Sequence, residues 1–223
     1  SGGVDSAVAA CLLRDAGHEV TGIFMKHWPD GCVVPAGTGG CWGPDEDDLR
    51  SAQEVATHLG IPLVVADLSG SFQERVVSYV VSEYSRGRTP NPCAVCNQQV
   101  KFTLLPASAR AAGVAFDLFA TGHYARIGRR ERLFFLRMAR DRKKDQSYFL
   151  ALLSQEHLRQ TVFPLAEKTK EWVRGFAARR GIPARNRKES QDFLRGDRSF
   201  LFEGARPGPV CDADGQATAT PGT

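Results

Sequence analysis

The sequence predicts an α/β fold, a doubly wound and mostly parallel sheet covered by helices. Helical and strand-like patterns alternate over most of the 223 residues, as in chains that cross from one parallel strand to the next. The strand-like segments are short apolar runs, which is typical of strands buried on both faces. A glycine turn at Gly2-Gly3 opens directly into a helical pattern. Such a turn belongs at the carboxyl edge of a parallel sheet, so we expect a buried strand before Ser1.

Apolar spacing and stop residues predict the helices. In the segment 45–59, Leu49, Ala52 and Val55 share one face, and Gly60 ends the pattern. The same spacing predicts helices over 4–16, 72–84, 97–112 (interrupted at Pro106), 147–153, 155–161 and 170–180.

Short apolar runs predict the strands and leave two loops. They place strands at 19–25, 62–67 and 116–121, and a hairpin over 127–138 in which Gly128 to Glu131 form the turn. Glycine and proline predict loops over 29–44 and 87–96. Residues at the carboxyl ends of the strands are candidates for ligand contact: Met25, Asp67, Thr121, Gly122 and His123.

Residues 1–6 read Ser-Gly-Gly-Val-Asp-Ser and carry the strongest chemical signal. Gly2 and Gly3 lack Cβ atoms, so the backbone there can turn sharply and approach an anion closely. The helix that follows offers N–H groups and the positive end of its dipole. Ser1 and Ser6 add hydroxyl donors, whereas Asp5 either faces Mg²⁺ or fixes the loop. We expect a phosphate-binding loop on the surface; an ordinary Ser- or Asp-capped helix start is the alternative.

Two of the six cysteines form a Cys-x-x-Cys pair, Cys93 and Cys96. In a chain too long and too poor in cysteine to be a disulfide scaffold, this spacing indicates redox, sulfur or metal chemistry. We expect Cys96 at a helix N-terminus, a position that lowers a thiol pKa and favours the thiolate. A proline-rich turn with two buried thiols is the alternative. Cys11 is predicted to be a core residue.

Charge and composition narrow the class of protein. The net charge is +4, and basic residues gather in the segments 126–144 and 174–188. Such groups suit a phosphate backbone, although a solvated charged face is the alternative. An apolar content of 42% is enough for a globular core. With no 18-residue apolar run and no basic-then-apolar leader, we expect a cytoplasmic protein without a membrane span.

The loop over 1–6 resembles the SGGxDS loop of the PP-loop ATP pyrophosphatases, and it lacks the Gly-Lys-Ser/Thr ending of a Walker A loop. Further segments resemble, in the same order, those of the tRNA-specific 2-thiouridylases (tRNA-uridine 2-sulfurtransferases). They are TGIFMK over 21–26, TPNPCAVCN over 89–97 followed by Lys101-Phe102, ATGHYA over 120–125, KDQSYFL over 144–150 and PGPV over 207–210. The resemblance covers essentially the whole chain.

That resemblance implies a reaction, its cofactors and its site residues. ATP would adenylate O2 of uridine 34, the wobble base of tRNA, and a persulfide would then deliver sulfur to C2, giving 2-thiouridine. ATP and Mg²⁺ are the expected cofactors; tRNA and a persulfide donor, either a cysteine desulfurase or a relay protein, are the expected partners. The implied ATP site is formed by Ser1, Gly2, Gly3, Val4, Asp5, Ser6, Met25 and Gly122. The implied target-base contacts are Asn91, Pro92 and Cys93, the catalytic thiols are Cys96 and Cys93, and the tRNA contacts are Lys144, Asp145 and Gln146.

The chain departs from this family at its second cysteine. The family carries a persulfide cysteine in a segment like DSQDICFI, whereas residues 189–197 read ESQDFLRGD and place Leu194 there. Three interpretations stay open. Cys93 replaces the missing thiol; or Cys93 and Cys96 hold a [4Fe-4S] cluster, with Cys41 or Cys32 as a third ligand or with that position left as an open iron; or sulfur transfer is lost.

These features predict two domains and a favoured function. We expect a PP-loop ATPase and tRNA-binding catalytic domain over 1–203 and the beginning of the family's central domain over 204–223, with its C-terminal barrel absent. The favoured function is sulfur transfer to tRNA. The alternatives are a different PP-loop ligation or amidation, and a protein that binds tRNA and ATP without thiolation.

Overall fold

A computed structural model describes residues 2–29, 46–183 and 210–219. Its helices are α1 (Val4–Asp15), α2 (Glu46–Leu59), α3 (Ser69–Phe72), α4 (Ser78–Ser85), α5 (Pro92–Cys96), α6 (Leu105–Ala111), α7 (Gln155–Arg159) and α8 (Lys170–Arg179). The π-helical segments Gln73–Val77 and Asn97–Leu104 join α3 to α4 and α5 to α6, and Ser147–Leu150 forms a 3₁₀ turn. The strands are β1 (Gly22–Lys26), β2 (Leu63–Asp67), β3 (Phe119–Ala120), β4 (Ala125–Arg130), β5 (Leu133–Met138), β6 (Thr161–Val162), β7 (Val210–Cys211) and β8 (Ala217–Ala219).

Parallel strand pairs confirm the α/β class. β1 pairs with β2, so that Met25 lies opposite Ala66 and Lys26 opposite Asp67. β3 pairs with β6, with Phe119 opposite Thr161. Within the described residues these are two separate two-stranded sheets. A single doubly wound sheet therefore stays a prediction.

Two hairpins complete the strands. β4 and β5 form the predicted hairpin, but its turn lies at Glu131-Arg132, and Gly128 belongs to β4. Gly128 lies opposite Phe135, and a Cβ there would come within 2.5 Å of that ring, so the glycine makes room for an aromatic partner. β7 and β8 form an antiparallel pair in a segment to which the sequence analysis assigned no element.

Several predicted elements differ from the structure. The helix expected over 147–153 is the 3₁₀ turn Ser147–Leu150, and the strand expected over 19–25 begins at Gly22. The strand expected over 116–121 is confined to Phe119–Ala120. Thr161, expected in a helix, lies in β6 because it pairs with Phe119. The loop expected over 87–96 ends early: Pro92 occupies the first helical turn, where a missing N–H costs nothing, and the Asn91 side chain caps that turn. The predicted loop over 29–44 falls largely outside the described residues, and the segment 189–197 falls wholly outside them.

Two hydrophobic clusters position the candidate site. The first packs α1 against α8 through Val8, Cys11, Val173 and Ala177. The second gathers Met25, Phe72, Val76, Cys96 and Val100, and so joins β1 to the helical run that begins at Pro92. In the part of the chain that the structure describes, no helix is long and apolar enough to cross a membrane.

Candidate active site

The glycine turn before α1 is hydrogen-bonded to α2. Gly2 adopts a φ of 58°, a left-handed conformation that favours glycine, and its carbonyl accepts a hydrogen bond from Ser51 Oγ at 2.8 Å. Ser6 Oγ donates to the carbonyl of Gly3 at 2.9 Å. Gly2 is buried, so the expectation of a surface loop is wrong for this residue: the turn is anchored in the packed structure. Ser1 lies outside the described residues.

Gly122 lies directly against the first turn of α1. A Cβ at this position would come within 2.7 Å of the carbonyl carbon of Asp5 and of the backbone nitrogen of Ser6. Real side chains do not tolerate such contacts with backbone atoms, so glycine is required for the two segments to meet. The structure thus brings together two parts of the nucleotide site that the resemblance implied, although 120 positions separate them.

Asp5 is bound by two side chains from distant parts of the chain. Tyr124 Oη donates to Oδ1 of Asp5 at 2.8 Å. Lys170 Nζ donates to both carboxylate oxygens, at 2.8 and 2.7 Å. The Lys170 side chain is only 8% exposed, against 31% for Asp5. These contacts fix the carboxylate in place, which agrees with the loop-fixing role considered for Asp5, and the Mg²⁺ role stays a prediction.

The cysteine pair lies at the start of a long helical run. Asn91 Oδ1 accepts the backbone N–H of Ala94 at 3.2 Å, and Pro92 takes the first helical position. Cys93 therefore lies in the first turn and is half-buried, whereas Cys96 lies one turn further in and is 6% exposed. The expectation that Cys96 begins the helix is wrong, because Pro92 begins it four residues earlier.

The segment 144–150 connects the loop to the cysteine helix. Gln146 and Tyr124 exchange two hydrogen bonds: the Gln146 N–H donates to the Tyr124 carbonyl at 2.8 Å, and Gln146 Oε1 accepts the Tyr124 N–H at 2.9 Å. Asn97 Nδ2 donates to the Phe149 carbonyl at 2.9 Å. Since Tyr124 also binds Asp5, a chain of hydrogen bonds runs from the first turn of α1 to the residue after Cys96.

The predicted tRNA contacts Lys144, Asp145 and Gln146 are half-buried, and the exposed charge beside them belongs to neighbouring residues. Asp145 accepts the Ala139 N–H at 2.7 Å and the Ser147 hydroxyl at 2.6 Å, so it shapes its own segment, as Gln146 does. Lys144 is half-buried. The side chains that face solvent beside this segment are Arg137, Arg140, Arg142, Lys143 and Tyr148, the last of them 69% exposed.

Met25 and His123 lie at strand ends, as predicted, and both are packed. Met25 is 6% exposed and belongs to the same cluster as Cys96. His123 Nδ1 lies 2.8 Å from Thr121 Oγ1, and its ring contacts those of Phe102 and Phe163 at centroid distances of 5.9 and 6.2 Å. Burial, and after it the charge of Lys101, hold the pKa of His123 well below its usual value of 6.5. The imidazole beside Gly122 is therefore neutral at physiological pH.

The described thiols are Cys11, Cys93, Cys96 and Cys211, and no disulfide joins any two of them. Cys11 is 1% exposed, and burial followed by the charge of Asp15 raises its pKa, which confirms it as a core residue. Among the described residues, no group of three His, Cys, Asp or Glu side chains is placed to hold a metal ion. Cys32, Cys41 and Leu194 lie outside them, so the cluster considered for Cys93 and Cys96 stays a prediction.

Sequence reasoning missed Lys170, the hydroxyl of Tyr124 and the amide of Asn97. One signal pointed to Lys170. It follows Thr169, the N-cap of α8, and so is a cation in the first turn of a helix, where the dipole disfavours positive charge. A basic residue in that place needs an acidic partner, but the sequence does not say which one.

The chain is similar to known proteins over most of its length. Residues 1–194 match the family described as the tRNA methyl transferase HUP domain. The chain is 44% identical over 221 residues to the tRNA-specific 2-thiouridylase MnmA of Endomicrobium trichonymphae, a match that covers 97% of this chain and 61% of that protein. It is 46% identical over 228 residues to the tRNA-specific 2-thiouridylase MnmA of Mycobacterium bovis (strain BCG / Pasteur 1173P2) and to that of Mycobacterium tuberculosis (strain ATCC 25618 / H37Rv), covering 99% of this chain and 59% of each relative.

The chain thus spans about three fifths of the length of the curated relatives it matches. The family match extends over the α1 loop, Gly122 and the cysteine helix alike. The chain belongs to the tRNA methyl transferase HUP domain family.

Proposed function

We propose that this chain is the ATP-binding and base-modifying part of a tRNA-specific 2-thiouridylase. The observation that carries the proposal is the contact of Gly122 with the first turn of α1, because the segment around Gly122 is bonded through Gln146 to the cysteine helix. In this proposal the phosphate cradle and the thiol pair belong to one site. In this proposal the two parallel strand pairs are parts of one doubly wound sheet of PP-loop type, in a catalytic domain over 1–203 that precedes a second domain beginning at 204.

The first step joins ATP to the target base. The glycine turn and the N-terminus of α1 bind the polyphosphate through backbone N–H groups and the helix dipole. O2 of uridine 34 attacks the α-phosphorus, an O2–P bond forms, the bond to the bridging oxygen breaks, and pyrophosphate leaves. The protein contributes positioning and charge stabilisation. Mg²⁺ would supply further neutralisation of the phosphates.

The second step replaces oxygen by sulfur. A donor, either a cysteine desulfurase or a relay protein, leaves a persulfide on Cys93, which replaces the missing thiol. Its outer sulfur attacks C2, the C2–O2 bond breaks, and AMP leaves with the oxygen. The Cys96 thiolate then attacks Cys93 Sγ and the S–S bond to the substrate sulfur breaks, which frees 2-thiouridine and leaves a Cys93–Cys96 disulfide for a thiol reductant. The Cys-x-x-Cys spacing within one helical turn supports this pairing.

Exposed charge beside the site supports tRNA as the partner. Arg140, Arg142 and Lys143 face solvent next to the segment 144–150, where phosphates would meet them. Tyr148 offers an exposed ring on which an unstacked base would lie. A partner of this kind supports a cytoplasmic location for the proposed reaction.

A second candidate function is binding of tRNA and ATP without thiolation. It is favoured by Leu194, which stands where the resemblance expects the persulfide cysteine. A single-turnover assay separates the candidates, using labelled ATP, a tRNA anticodon stem-loop containing uridine 34 and a persulfide donor. AMP release with sulfur gain supports the 2-thiouridylase, and binding without either supports the second candidate. AMP formation independent of tRNA would contradict both and favour another ligation.

A further inference from the structure

We propose that Lys170 is a positioning residue of the nucleotide site, which neutralises Asp5 from behind the loop so that the N-terminus of α1 accepts a polyphosphate. The proposal rests on the ATP binding proposed above. It assigns a role to a residue of α8 that neither the sequence patterns nor the resemblance indicated.

The two side chains of the Lys170–Asp5 ion pair differ in their exposure to solvent. Lys170 Nζ contacts both oxygens of Asp5, and its side chain is nearly sealed at 8% exposure while that of Asp5 is 31% exposed. Tyr124 adds a hydrogen bond to Oδ1 of Asp5, and its ring centroid lies 5.8 Å from Lys170 Nζ. The ammonium group therefore lies on the buried side of the carboxylate, and the carboxylate is the more exposed of the two groups.

Lys170 is placed there against local helical preference. Thr169 Oγ1 caps α8 by accepting the Trp172 N–H at 3.2 Å, and the Lys170 N–H donates to Asp141 Oδ2 at 2.9 Å. A cation in the first turn of a helix opposes the dipole. The tertiary contact with Asp5 offsets this cost.

The electrostatic consequence concerns phosphate. Asp5 lies in the first turn of α1, which is where the polyphosphate would bind, and an isolated carboxylate there would repel it. Paired with Lys170, it adds no net charge to the cradle. Loss of the Lys170 charge alone should therefore weaken binding of ATP, whereas loss of both charges should restore most of it.

The test compares the full protein with three variants: Lys170→Met, the double variant Asp5→Asn/Lys170→Met, and Lys168→Met as the matched control. Lys168 lies two residues earlier, and its Nζ packs over the Trp172 ring at 4.5 Å. Calorimetric titration measures the affinity for ATP with Mg²⁺ and, separately, for adenosine, which has no phosphate. We expect Lys170→Met to weaken ATP binding about tenfold or more, with adenosine affinity unchanged, recovery in the double variant, and no effect of Lys168→Met.

Each other outcome overturns the proposal in a recognisable way. If a folded Lys170→Met protein binds ATP with unchanged affinity, Lys170 does not have the proposed role. An equal loss for ATP and adenosine, or no recovery in the double variant, shows a purely structural role. If Lys170→Met does not fold, the charge-balanced double variant decides: near-parental ATP affinity supports the proposal, and a folded protein that does not bind ATP overturns it. A parent protein that binds no ATP instead contradicts the proposed function itself.

Discussion

The carboxylate of Asp5 lies 2.7 Å from Lys170 Nζ, although 165 positions separate the two residues in the chain. The contact joins the first turn of α1 to the first turn of α8, two helices that also share a hydrophobic cluster. The shape of the glycine loop therefore depends on a residue far outside the loop motif.

Replacing Asp5 should affect both stability and chemistry. Sequence reasoning treats the loop as a surface feature and expects Asp5→Ala to leave the fold intact. The structure changes that expectation, because the variant leaves the ammonium of Lys170 buried without its carboxylate partner. Breaking such a pair costs about 3 kcal/mol. We expect a lower midpoint of urea unfolding together with loss of tRNA-dependent AMP production; AMP production at the parental rate would contradict the nucleotide assignment.

Gly122→Ala should disrupt the nucleotide site through shape alone. The new Cβ would lie 2.7 Å from backbone atoms of Asp5 and Ser6, so the two segments must separate. We expect ATP affinity to fall by about 2 kcal/mol or more, in the range for overpacking a close contact. Gly70→Ala is the control, because a Cβ at Gly70 meets no atom within 4 Å. Equal ATP affinity in the two variants would show that Gly122 does not shape the site.

The two thiols of the cysteine helix should differ in accessibility and in role. Cys93 is half-buried and Cys96 is 6% exposed, so iodoacetamide should modify Cys93 faster than Cys96, as peptide mass spectrometry would show, with exposed Cys211 as the reference. We expect Cys96→Ser and Cys93→Ser to abolish thiolation, whereas Cys11→Ser and Cys211→Ser retain it. Thiolation by Cys93→Ser at the parental rate would exclude the dithiol pair.

Removing basic residues beside the segment 144–150 should reduce the salt dependence of tRNA binding. Arg140 and Arg142 are exposed and Lys144 is half-buried. For each lost phosphate contact, the slope of the logarithm of the association constant against the logarithm of salt concentration should fall by about one unit. Single alanine variants of the three residues, measured by filter binding at several salt concentrations, test this. A parental slope in all three would identify a solvated charged face.

The stability of the protein should decline in mild acid through His123. Its pKa is lowered by burial and then by Lys101, so below its usual value of 6.5 the unfolded chain binds the proton and the folded chain does not. The free energy of unfolding is therefore fully retained above pH 6.5 and falls as the pH drops toward the lower folded value, by up to about 1.4 kcal/mol per pH unit. Urea unfolding measured from about pH 8 to about pH 5 should show that the free energy of unfolding depends less on pH in His123→Gln than in the parent protein. Identical profiles would contradict an imidazole that stays neutral in the folded protein.

The sequence by itself determined the elements whose cause is local. The spacing of apolar residues predicted α1, α2 and α8 to within about two residues, since a helix face repeats with a short period. The short apolar runs predicted β1 and β2, and the hairpin of β4 and β5 followed from its two apolar segments. Gly2, Gly3 and Gly122 were identified from motifs, and the family match bears out the resemblance that those motifs carried.

Tertiary structure decided what depends on residues far apart in the chain. Thr161 lies in β6 because Phe119 offers it a partner, which no local pattern contains. Cys93 rather than Cys96 occupies the first turn because the Asn91 cap and Pro92 begin the helix early. The role of Asp5 was ambiguous in the sequence, where Mg²⁺ and loop fixation suited the same carboxylate equally well. Only folding brings Lys170 and Tyr124 to it, because a buried ion pair is set by packing between α1 and α8 and leaves no periodic trace in the chain.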